Sequence, residues 1–142
     1  AAAYCAQQGV NLPEALTWVD RSIGMNENFQ NLRVKAAVLE KTGDAKAAES
    51  LRAQALKVAN ETDLNNYGYQ LMSQQKMTEA IAIFQRNTRE HPQSWNVWDS
   101  LAEGYSNAGD KKGAIDNYTK ALKMAPDAQK ERIEKAITRL KA

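Results

Sequence analysis

Leu64-Asn65-Asn66-Tyr67-Gly68-Tyr69-Gln70-Leu71, followed by Ala80-Ile81-Ala82-Ile83-Phe84 and then Pro92, decides the fold. It lays residue for residue over Trp98-Asp99-Ser100-Leu101-Ala102-Glu103-Gly104-Tyr105, Ala114-Ile115-Asp116-Asn117-Tyr118 and Pro126. The two prolines lie 34 residues apart. A fixed period near this length is the signature of stacked helical hairpins, in which each unit buries its apolar face against the next.

Punctuation outside the repeat agrees. Gly43-Asp44 and Gly109-Asp110 each follow a helix-like run. Glycine suits the left-handed residue that ends a helix, and aspartate can cap the one that follows. Asn11-Leu12-Pro13-Glu14 reads as a helix start with a capping asparagine, and Asp127 reads as the cap of a last helix. Pro92 and Pro126 end the helices before them. The spacing predicts helices over 1–9, 13–25, 29–42, 45–59, 62–74, 77–90, 94–108, 111–124 and 128–141, and no strands. In the second of these Ala15, Leu16, Val19 and Ile23 share a face; Trp18 beside them reads as core. In the last, Ile133, Ala136, Ile137 and Leu140 share a face with a charged back, as the open end of a stack requires.

Composition narrows the function. The chain has 142 residues, 43% of them hydrophobic, with 19 basic and 17 acidic side chains and a net charge of +2. Interleaved charges of that balance give no footprint for nucleic acid. No apolar run is long enough to cross a bilayer, so no membrane insertion is expected. A single cysteine, Cys5, excludes an internal disulfide, and with a single histidine, His91, no zinc set of those residues can form. Cys5 and His91 fall in separate repeats, too far apart for a nucleophile–base pair. Gly104 to Lys111 has the glycines of a phosphate-binding loop, but Asp110 and the helical context are wrong for it. Catalytic residues, cofactors and metals are therefore expected to be none. No signal-peptide pattern is visible, so cytoplasmic and bacterial periplasmic settings both fit. The start without methionine is compatible with an upstream segment that has been removed.

Residues 61 to 126 resemble the tetratricopeptide repeat, whose pattern runs W-x2-L-G-x2-Y, then A-x3-F, then P. Trp98, Leu101, Tyr105, Ala114, Tyr118, Ala121 and Pro126 match, with Ala102 for glycine. Leu64, Tyr67, Gly68, Leu71, Ala80, Phe84 and Pro92 match in the repeat before, where Gln75 takes the usual turn glycine's place and Asn87 a small residue's. Leu32, Ala36, Leu39, Ala48 and Ala55 carry a weaker, shorter repeat in which Arg52 and Asn60 depart from the pattern. The resemblance implies an all-α, right-handed α-α superhelix of such hairpins in one domain, 1–142: a partial repeat over 1–27, a degenerate one over 29–60, repeats over 61–94 and 95–127, and a capping helix over 128–142. A looser similarity, resting equally on residues 4–24, is to helical-repeat tails of larger secreted or periplasmic bacterial proteins.

The family's first helices line a concave groove, which implies a non-catalytic module binding a protein or peptide. The candidate partner-binding residues are Arg33, Asn65, Asn66, Tyr69, Met72, Asn96, Asp99 and Glu103. One branch clamps the carboxylate tail of heat-shock chaperones with Lys, Asn, Asn, Lys and Arg. At the matching positions stand Arg33, Ala37, Asn66, Asn96 and Ser100, so that recognition is not expected. Asp99 and Glu103 make one end of the groove acidic, which suits a polar peptide with some basic residues. The competing reading is a structural segment packed against another domain of a larger parent chain.

Overall fold

The computed structural model describes Ala3 and residues 11–142; Cys5 and the helix expected over 1–9 lie outside the described residues. Eight helices are described: α1 Leu12–Met25, α2 Phe29–Lys41, α3 Ala45–Val58, α4 Glu61–Ser73, α5 Met77–Glu90, α6 Trp95–Asn107, α7 Lys111–Met124 and α8 Asp127–Lys141. No strand occurs among the described residues. The all-α helical-hairpin fold read from the repeat is what the structure has, with α2–α3, α4–α5 and α6–α7 as its hairpins.

Three turns of one design close these hairpins. The backbone N–H of Asp44, Lys76 and Asp110 donates to the carbonyl five residues earlier, on Leu39, Leu71 and Tyr105, at 2.9 Å in each case. This is the bond of a helix end closed by a left-handed residue. Gly43 and Gly109 take that position with φ of 93° and 86°. The carboxylates of Asp44 and Asp110 then accept from the N–H of Ala47 and Gly113, capping α3 and α7. The central turn departs at both places. Gln75 adopts φ 60°, and Lys76 caps α5 with no side-chain bond.

Other helix starts depart from expectation. Asn11 is left-handed with φ 49° and its side chain caps nothing; the helix starts on Leu12 with Pro13 in its first turn. Pro126, not Asp127, is the N-cap of α8, and Asp127 instead pairs with Lys130 at 3.1 Å. Two reciprocal capping boxes occur that the S/T-x-x-E/Q pattern does not describe, Asn28 with Asn31 and Asn60 with Asp63. Asn and Asp reach the same backbone groups with shorter side chains.

The chain divides into two compact units, Ala1–Ala59 and Asn60–Ala142. In the first, Ala15 on α1 meets Val38 on α2, with Leu12, Leu16 and Ala37 around them. Asn31 Nδ2 donates to the Asn26 carbonyl at 2.7 Å and to Ser22 Oγ at 3.3 Å, tying the end of α1 to the start of α2. Trp18 is not core: 38% of it is exposed, and it lines an open pocket with Val19, Ser22 and Val34.

In the second unit the small residues of the repeat stand where helices touch. Ala80, Ala102 and Ala114 have no exposed surface, nor has Phe84. A Cβ on Gly68 of α4 would collide with Phe84 Cε1, and one on Gly104 of α6 would sit 3.1 Å from Phe84 Cδ2. The ring of α5 is thus held between glycines of two successive first helices. Ala102, Ala114, Tyr118, Ala121 and Ala125 form a cluster closed by Ile133 of α8, against which Trp95, Trp98, Ala136, Ile137 and Leu140 pack. Asn87, where the repeat expects a small residue, is buried and useful. Its Nδ2 donates to the Glu61 carbonyl at 3.0 Å, and its Oδ1 meets His91 Nδ1 at 2.8 Å, joining the end of α5 to the start of α4.

Gly68→Ala is expected to lower stability by about 1–3 kcal/mol through overpacking against Phe84, despite alanine's better helix propensity. A denaturant titration reads this, and Gly104→Ala, with its wider gap, should cost less. Gln75→Gly should raise stability by about 1 kcal/mol, the cost of a left-handed non-glycine residue. An unchanged or lower denaturation midpoint would count against strain at that turn.

Candidate functional site

Residues one repeat apart on α4 and α6 face each other across the second unit. Tyr69 and Glu103 share a repeat position, and Tyr69 Oη donates to Glu103 Oε2 at 2.6 Å. Ser100 Oγ lies 3.3 Å from Tyr69 Oη and donates to Asn65 Oδ1 at 2.5 Å. Asn107 Nδ2 donates to the Glu103 carbonyl at 3.0 Å and approaches Met72 Sδ at 3.8 Å. The next step runs from α6 to α8, where Arg132 Nη2 donates to Asp99 Oδ2 at 3.0 Å. Together these bonds form a polar ladder between first helices, with Phe84 beneath it. The rings of Tyr69 and Phe84 meet edge to face, 5.2 Å apart.

Of the expected groove residues, Asn65, Tyr69, Met72, Asp99 and Glu103 belong to this ladder. Asn66 is exposed and Asn96 half-buried, and neither bonds another described residue. Arg33 belongs to the first unit, where its guanidinium lies over the Phe29 ring at 5.2 Å. The structure corrects the reading of Asp99 as an acidic surface group. Only 7% of it is exposed, Oδ2 is held by Arg132, and Oδ1 is buried without a hydrogen-bond partner. The residue faces α8 because the capping helix lies over that end of α6.

A pocket of about 610 Å³ opens beside the ladder, lined by Tyr69, Met72, Ser73, Gln75, Met77 and Asn107. Gln75 and Met77 were not anticipated. Their signal in the sequence was the central turn, which lacks the Gly-Asp pair of its neighbours.

Burial, and then the hydrogen bond to Glu103, push the Tyr69 hydroxyl well above the usual tyrosine range, so it remains a donor. Burial raises the Tyr118 hydroxyl too, reinforced by Asp99 and Glu103. Burial likewise raises Asp99 above the usual carboxylate range, opposed by the hydrogen bond and charge of Arg132. Among the described residues no group of three or more His, Cys, Asp or Glu is placed to hold a metal ion. No helix among them is long and apolar enough to cross a membrane.

This is a tetratricopeptide-like helical-repeat fold with a polar ladder between α4 and α6 and an open pocket beside it. Solved structures of MamA share it. The chain matches MamA of AMB-1 with a TM-score of 0.57 at 19% identity, over 98% of this chain and 76% of that one. A double mutant of MamA of RS-1 matches with a TM-score of 0.58 at 16% identity, over 98% and 78%. At such identities the likeness is one of fold. No family model matches the chain, and no curated protein does.

Asp99 gives a pH signature. Its folded pKa is raised, so its contribution to stability is present below the unfolded value of about 3.9 and is lost as pH rises through the folded value. Asp99→Asn removes that loss. The stability of the variant relative to wild type should therefore be greater at pH 7 than at pH 4 in paired urea titrations. A relative stability that is flat or falls with pH would contradict the buried, unpaired oxygen.

Proposed function

We propose that the chain is a non-catalytic protein-interaction module that holds an extended peptide along the inner face of α4 and α6. The observation that carries this is the combination of the fixed ladder and the pocket at its edge. Tyr69 is held by Phe84 below and Glu103 beside it, so an amphipathic surface stands in place before any partner arrives. Pre-ordered side chains lose little freedom on binding, which leaves more of the contact energy as affinity. Asn66 and Asn96 have amides with no described partner, and such groups hydrogen-bond a peptide backbone of any sequence. Tyr69's hydroxyl stays protonated and its neighbours form no nucleophile–base pair, which supports binding over catalysis. The helical-repeat fold shared with MamA supports a protein partner and does not name one.

The test compares wild type with a Tyr69→Ala, Asn66→Ala double variant in quantitative capture from the native extract, at matched stability. The variant should weaken capture about tenfold or more, as the loss of an aromatic hot spot does. Equal capture would exclude the inner face and point to the outer surface or to another domain of a parent chain.

A further inference from the structure

The pocket beside the ladder has mixed walls, and a carboxylate without an ion pair among the described residues stands near it. Met72 and Met77 supply flexible thioethers and Tyr69 an aromatic ring, while Ser73, Gln75 and Asn107 supply polar groups. Glu103 does not itself line the pocket, but its carboxylate accepts from the hydroxyl of Tyr69, which does, and so stands next to it. Glu103 Oε2 accepts the hydrogen bond of Tyr69 Oη, whereas Oε1 has no partner among the described residues. The carboxylate makes no ion pair among the described residues. Asp99, the other acid on this face, is already neutralised by Arg132.

The turn at this spot is also the one that departs from the design of its neighbours. Gln75 stands at φ 60° where Gly43 and Gly109 stand in the other two, and it lines the pocket. Departures from local backbone preference concentrate at functional sites. A glycine there would relieve the turn and remove an amide from the rim.

We propose that this pocket receives a lysine or arginine side chain of a bound peptide, with its methylenes on Met72, Met77 and the Tyr69 ring and its cation against Glu103. The proposal rests on the inner-face reading above and names the side chain that anchors there. Long basic side chains lay their stems along apolar surface while the charged head seeks a polar partner. Methionines adapt to such stems, and a tyrosine face attracts a cation. Charge favours the same class, since residues 60–110 carry seven carboxylates against three Lys and Arg. Lys76 is exposed, does not line the pocket, and opposes a cation only from outside it.

The experiment is NMR titration of the full chain, methyl-labelled at methionine, with capped glycyl-arginyl-glycine, glycyl-lysyl-glycine and glycyl-norleucyl-glycine. The two basic tripeptides should give saturable shifts of the Met72 and Met77 methyls, and the norleucine tripeptide should bind more weakly. Glu103→Gln keeps an oxygen to accept the Tyr69 proton and so tests charge alone; it should weaken the basic tripeptides about fivefold. Lys76→Gln should tighten them, and Gln75→Gly should weaken them even though it stabilises the fold. Norleucine binding as well as arginine, or Glu103→Gln binding as tightly as wild type, overturns the cationic assignment. So does the absence of shifts at both methyls with every tripeptide. None of these results touches the inner-face reading, which is decided separately by the capture of native partners.

Discussion

The second unit depends on the seat of one ring. Phe84 is wholly buried between Gly68 and Gly104, and neither glycine could carry a side chain without moving it. A phenylalanine from the second helix of one hairpin is thereby locked between the first helix of its own hairpin and that of the next. The two first helices are spaced so that residues one repeat apart come into hydrogen-bonding reach. Interiors pack at crystal-like density, so a ring in such a seat sets the separation of the helices around it.

What lies above the ring follows from that separation. Tyr69 stands edge-on to Phe84 and donates to Glu103, and Ser100 donates to Asn65. These are contacts between corresponding or near-corresponding positions of successive repeats. At the last step the pattern serves the fold, with Arg132 of the capping helix taking Asp99. One end of the ladder closes the stack, while the other borders an open pocket.

The period made the hairpins legible because small and aromatic residues recur where helix crossings demand them. Turns were legible where glycine and aspartate carry them, at Gly43-Asp44 and Gly109-Asp110. They were less legible where asparagine does unusual work. Asn31 and Asn87 tie neighbouring helices through backbone carbonyls, a role that a residue type alone does not announce. The placement of Tyr69, Met72 and Glu103 on one side of α4 and α6 followed from repeat register. Register could not say that Asp99 would be buried, because that depends on where α8 lays Arg132. Nor could it find Met77, which reaches the pocket only because the central turn brings the start of α5 beside the end of α4.

A double-mutant cycle pairing Gly68→Ala with Phe84→Leu tests the central claim most directly. The smaller, more flexible leucine makes room for the added methyl, so the account predicts that the double variant is more stable than the sum of the single losses implies, by about 1 kcal/mol or more. Additive losses within about 0.5 kcal/mol would contradict it, since residues that do not share a contact add in this way. In that case the spacing of α4 and α6 would be set by something other than the Phe84 ring.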